Sequence, residues 1–136
     1  MSRRIRIAAA LIDDGQGHIL IVRKGGTSIF MQAGGKIEPG ETPFEALARE
    51  LTEELGFTPS RAEARFLGTF TADAANEPDH LVEARLFHIR SAPGRAFRIA
   101  AELEEAIWVP IESAEELKLA PLLRDHVLPL ARTLIG

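Results

Sequence analysis

The chain contains no cysteine and no tyrosine. Without a thiol there is no disulfide, no thiolate metal site and no cysteine nucleophile, and this fits a cytoplasmic location. No apolar run approaches the roughly 18 residues that a membrane span requires. The N-terminal MSRRIRIAAALI joins a basic start to a short apolar run, but Asp13 and Asp14 interrupt it and no cleavage site follows; the alternation in RIRIA reads as a strand. A strongly basic tract is also missing, and the net charge is −4, which argues against binding nucleic acid by neutralising its phosphates. An acidic protein that takes a phosphorylated substrate needs a cation to bridge the like charges.

What is present suits one ordinary soluble domain, expected to span residues 1–136. Hydrophobic residues make up 46% and charged residues 26%, enough apolar material for a real core with a charged surface over it. Residues 4–12 and His18 to Lys24 read as strands joined by the polar turn DDGQG, a hairpin. IFMQAGGKIEPGE begins apolar and becomes a glycine-rich loop. Residues 65–72 and 81–90 read as two more strands around the loop ADAANEPD, and 107–109 as a short one. Ser113 and Glu116 form a capping-box pattern that predicts a second helix. A last helix is expected from near Pro121, with Leu123, Val127, Leu130 and Leu134 apolar and Pro129 ending or kinking it. Strands mixed with two or three helices predict an α+β domain around a mixed sheet.

The first helix has well-marked ends. Thr42 is a good N-cap, Pro43 suits the first helical position, Glu45 completes a capping box, and Gly56 suits the left-handed residue after the last turn. At about 100° per residue, Phe44, Leu47, Ala48, Leu51 and Leu55 make a core stripe, with Glu50, Glu53 and Glu54 expected nearly opposite. The i, i+3, i+4 spacing crowds three carboxylates, which repel by roughly a few tenths of a kcal/mol per pair at an exposed site. Arg49, four residues before Glu53, offsets part of that. A divalent cation would offset far more, since hard cations take oxygen ligands. A solvated, glutamate-rich helix face is the better explanation of the helix taken alone.

The residues before the helix extend the pattern. Gly35, five residues, Glu41, seven residues, then Arg49-Glu50-Leu51-Thr52-Glu53-Glu54-Leu55-Gly56-Phe57 resembles the Nudix box, the signature of the Nudix hydrolases. All its fixed positions are filled: Gly35, Glu41, Arg49, Glu50, Glu53, Glu54 and Gly56. Phe57 is a mild departure from the usual aliphatic residue. Glu102, Glu105 and Trp108 form an E-x-x-E-x-x-W piece that loosely extends the resemblance beyond the 23-residue box.

The resemblance implies a Nudix-type α/β/α sandwich and a hydrolase that cleaves a nucleoside diphosphate linked to another moiety, using Mg²⁺ or Mn²⁺. By position it implies Glu50, Glu53 and Glu54 as metal ligands, joined by the Gly35 carbonyl. Arg49 would orient a glutamate and Glu41 would support the loop. The general base differs among members; here Glu53, Glu54, Glu102 and Glu105 are candidates. Arg23 and Lys24, ending the second strand, are candidates for substrate phosphates, as is Glu102 for substrate contact, though a solvated strand end explains the two cations as well. His80 and His88 read as structural, Trp108, Phe30, Phe70 and Phe87 as core.

The resemblance implies a small nucleotide as substrate, and the lack of a tyrosine after the box argues against the dinucleoside polyphosphate group. Neither Pro59 nor Pro78 is placed as in the ADP-ribose group. The compact box-bearing chain is most similar in kind to members acting on nucleoside triphosphates, including oxidised ones. A Nudix-fold module that senses a nucleotide without turnover stays open, as does a homodimer through the apolar C-terminal segment.

Overall fold

The run Ile7 to Ile12 (IAAALI) has no apolar–polar alternation, so a strand made from it must be covered on both faces. In the structure, a computed structural model describing residues 3–75 and 77–135, it forms the middle of β1 (Arg3–Asp13). Ala8, Ala10 and Ile12 pack with Leu47, Leu51 and Leu55 of α1 (Pro43–Leu55). Ala9 and Leu11 point the other way, into a second cluster with Leu123, Val127, Leu128 and Ala131. The period-two alternation of a strand therefore feeds two cores, and the layers are helix, sheet, helix.

The other strands are β2 (His18–Lys24), β3 (Phe30–Met31), β4 (Ala33–Lys36), β5 (Arg65–Asp73), β6 (His80–Arg90) and β7 (Leu103–Pro110). β1 runs parallel to β6 from Arg3 opposite His80 to Asp13 opposite Arg90, and β6 pairs antiparallel with β5. β1 pairs with β2 only at Asp13 and Ile19. Further along, β4 takes the place beside β1, with Ala8 opposite Gly35 and Ala9 opposite Gly34, while β3 and β7 take the places beside β2. The sheet is mixed and the fold is α+β, as expected. β7 is longer than the expected 107–109.

One expectation about the C-terminal third is corrected. Ser113 starts only a 3-10 turn, Ala114–Glu116, and makes no side-chain cap. The chain is then drawn into extended backbone, because the Phe30 amide bonds the Lys118 carbonyl at 2.8 Å and the Ala120 amide bonds the Phe30 carbonyl at 2.8 Å. Tertiary pairing overrides the local helix signal. Pro129 does not end the last helix but follows directly on a local distortion of it, in keeping with the kink expected there. A wider π turn over Leu123–Val127 precedes α2 (Leu128–Leu134), and the Leu128 amide bonds the Leu123 carbonyl five residues back. The π turn accommodates the amide that proline lacks. Leu134 lies exposed at 41%, outside the apolar face.

Phe30 and Phe87 are buried, and Phe70 packs against the α2-side core. Trp108 lies at the edge of the α1-side core, its indole N–H donating to the Arg95 carbonyl.

Candidate active site

The site is assembled where α1 lies against β4. The helix is phased by the expected capping box: the Thr42 hydroxyl accepts from the Glu45 amide and the Glu45 carboxylate accepts from the Thr42 amide. Gly56 closes it in the left-handed region at φ 67°. This phase corrects the reading of the three glutamates as one polar face. Glu54 follows Leu47 by seven residues, which on a helix returns to within about 20° of the same direction. Glu54 is accordingly buried at 6% exposure, Glu50 is half-buried beside it, and only Glu53 faces solvent. Ala46 is buried with the leucines, whereas Ala48 is only half-buried.

Two glycines in β4 receive the inward carboxylates. The Gly34 amide donates to Glu54 Oε1 at 3.0 Å. A Cβ on Gly35 would stand 2.3 Å from the Glu50 carboxyl carbon, so the carboxylate occupies space that any side chain would fill. The backbone at Gly34 is equally constrained: its φ is +138°, and a Cβ there would meet the Ala8 carbonyl oxygen at 2.2 Å.

Arg49 ties loop and helix together. Its Nε and Nη2 donate to the two oxygens of Glu41 at 2.8 and 2.9 Å, a bidentate pair. Its Nη1 donates to Glu50 Oε1 at 2.8 Å, and Nη2 also donates to the Lys36 carbonyl. Glu53 lies 3.7 Å from the same guanidinium. The hydrogen bonds from Arg49, with one from the Glu38 amide, hold the Glu41 carboxyl down at about 2. Glu54 moves the other way. Burial pushes its pKa up to about 7, and the Glu50 charge adds to that, against the opposing Gly34 hydrogen bond.

A cavity of about 450 Å³ opens in front of these groups. Glu50, Glu54, Gly35, Lys24 and Glu102 all line it. Arg23 and Glu105 do not: they pair with each other across β2 and β7 at 2.9 Å, and Arg23 Nη1 also donates to the Thr27 carbonyl. His80 bonds the Pro78 carbonyl and His88 pairs with the buried Asp13, both away from this cavity. The apolar wall of Ile5, Ile7, Val22 and Val82, and the polar Gln32 among them, went unread in the sequence. A glutamine inside the apolar opening of IFMQAGG was the available signal.

Among the described residues no three acidic or histidine side chains already converge on one metal-sized point. The donor set nevertheless fits a hard divalent cation, which binds through one or two carboxylates with water and substrate phosphates completing its shell. Glu50 is positioned by Arg49 and seated in the Gly35 gap. Glu54 is a buried carboxyl whose raised pKa an adjacent cation would reverse.

The sequence profile of the NUDIX domain matches residues 3–131. Over 126 residues the chain is 31% identical to the CTP pyrophosphohydrolase of Escherichia coli (strain K12), spanning 88% of this chain and 85% of that one. A shorter stretch of 61 residues, 42% of this chain, is 39% identical to the 8-oxo-dGTP diphosphatase of the same organism and spans 47% of it. The MutT protein from Methanosarcina mazei Go1 shares the fold, with a TM-score of 0.77 at 23% identity over 97% of this chain and 95% of that one. The chain belongs to the Nudix family: it is a Nudix pyrophosphohydrolase. Nudix hydrolases generally use divalent metals, and the two Escherichia coli enzymes act on small nucleotides by their names.

Proposed function

We propose that this enzyme hydrolyses the diphosphate linkage of a nucleoside triphosphate, unmodified or oxidised at the base, with Mg²⁺ or Mn²⁺. The observation that carries the reading is the Glu50 carboxylate seated against Gly35, next to buried Glu54, at the head of a cavity large enough for a nucleotide. Glu50 and Glu54 would hold the cation, with Glu53 and the Gly35 carbonyl as further ligands. When bound, the cation supplies a Lewis acid for water and for the phosphoryl oxygens. The similarity to a CTP pyrophosphohydrolase over most of the chain supports a nucleoside triphosphate as substrate.

The remaining roles fall to this chain's own groups. Arg49 holds Glu50 in position and fixes Glu41, which braces the loop. Lys24 stands in the cavity as a cation for substrate phosphate. A carboxylate takes the proton of the attacking water as the new P–O bond forms and the anhydride P–O bond breaks. Glu54 and Glu102 line the cavity and suit that role; Glu53 is solvent-exposed and not among the lining residues, and Glu105 is engaged by Arg23. We place the enzyme in the cytoplasm as one domain over 1–136, working on a small molecule and not on nucleic acid, with a homodimer to be checked by light scattering. Among the described residues no helix is long and apolar enough to cross a membrane.

The test is product formation from unmodified and oxidised nucleoside triphosphates, ADP-ribose, NADH, a dinucleoside tetraphosphate and a nucleotide sugar, with Mg²⁺ and Mn²⁺. Metal-dependent cleavage of a triphosphate, abolished in Glu54→Gln, is expected. Tight nucleotide binding with no turnover under either metal would contradict the reading and point to a sensing module.

A further inference from the structure

Gln32 is the unexplained polar group of the cavity. It is 8% exposed, sits between β3 and β4, and lines the same cavity as Glu50 and Glu54. Its Oε1 is buried with no hydrogen-bond partner. A buried amide oxygen without a partner costs about 1–3 kcal/mol, so a purely structural residue here would be replaced by an apolar one of the same size at a gain. The apolar part of the cavity wall it shares is made by Ile5, Ile7, Val22, Met31 and Val82. The phosphate-directed groups Lys24, Glu50 and Glu54 line the same cavity. An apolar slot with one unsatisfied amide suits a flat, partly apolar ring that carries hydrogen-bonding groups on its edge.

Building on the proposed function, we propose that Gln32 is the residue that sets base selectivity, its amide hydrogen-bonding the edge of the substrate's nucleobase. The terminal torsion of a glutamine is broad and roughly two-fold, so either end of the amide can turn to the cavity. The carbonyl then accepts from a ring or exocyclic N–H, and the amide N–H₂ donates to an adjacent acceptor. No aromatic side chain is among the lining residues, so this contact, not stacking, distinguishes one base from another.

The experiment compares wild type with Gln32→Met, which keeps the volume and removes both hydrogen bonds. kcat/KM is measured for the four nucleoside triphosphates and for ribose 5′-triphosphate, which has no base. The wild type is expected to separate its best and worst bases by at least about tenfold, as a site built to hydrogen-bond its substrate does. Gln32→Met is expected to lose at least that factor on the favoured base and to leave ribose 5′-triphosphate unchanged. It should also melt no lower than wild type without ligand. Unchanged base ratios in Gln32→Met, an equal loss on the base-free compound, or a wild type indifferent to base would each overturn the assignment. If wild type cleaves none of these compounds, the proposed function fails separately. Calorimetric binding of the four nucleoside monophosphates then reads the same contact, and equal affinities in the two proteins overturn it.

Discussion

The Glu50 carboxylate and the Gly35 backbone share one space: a Cβ on residue 35 would lie 2.3 Å from the carboxyl carbon and 2.6 Å from each of its oxygens. The obstructing atoms are the far end of a flexible side chain. Gly35→Ala should therefore displace Glu50 and leave the fold standing. The expected result is a melting temperature within a few degrees of wild type and divalent-metal affinity weakened by roughly tenfold or more. The neighbouring glycine behaves differently. Gly34→Ala forces a Cβ onto the Ala8 carbonyl at a backbone angle that disfavours side chains, and should destabilise the fold by about 2 kcal/mol or more. Thermal melts and calorimetric Mn²⁺ titrations of both variants separate the two effects.

Glu54 gives the metal-free protein a pH-dependent stability. Burial lifts its pKa from 4.5 to about 7. Between those values the folded protein keeps a proton that the unfolded chain has lost, so stability is full below pH 4.5 and falls as pH rises through about 7. The loss is on the order of 3 kcal/mol. Denaturant melts in chelator across pH 4 to pH 8 should show this slope, and Glu54→Gln should flatten it. An unchanged slope in the variant would mean another group is responsible.

Arg49 acts through its fork of donors as well as its charge. Arg49→Lys keeps the charge but cannot hold both Glu41 oxygens, Glu50 and the Lys36 carbonyl together. Activity is expected to fall by roughly 10–100-fold, as when the partners that orient a metal ligand are removed. Steady-state rates at saturating metal test this.

Glu102 and Glu105 differ in surroundings despite similar sequence context. Glu102 lines the cavity, while Glu105 is held by Arg23. Glu102→Gln should lower kcat at least about tenfold if it takes part in proton transfer or substrate placement. Glu105→Gln should change kcat little and mainly loosen the β2–β7 pairing near Arg23, visible in its melting temperature.

The box and its helix were legible because each local signal agreed with the tertiary arrangement. Thr42, Glu45 and Gly56 cap α1 as read, and the leucines bury as read. What misled was the angular placing of all three glutamates nearly opposite the leucines, which holds for Glu53 but not for Glu54. Glu54 shares the inward direction of Leu47, and burial of a carboxylate is unusual enough that charge alone argues against it. The extended chain after Glu116 and the π turn before Pro129 depend on Phe30 pairing and on packing against β1, neither visible in a local window. Gln32 stayed hidden for the same reason. Its environment is made by β1, β2 and β6, which are distant in sequence.

The central claim is that Glu50 and Glu54 together hold a divalent cation. Mn²⁺ binding followed by electron paramagnetic resonance, in wild type, Glu50→Gln and Glu54→Gln, tests it most directly. The account predicts saturable binding in the wild type, weakened at least about tenfold in each variant while both remain folded. Wild-type-like Mn²⁺ affinity in both folded variants would contradict it.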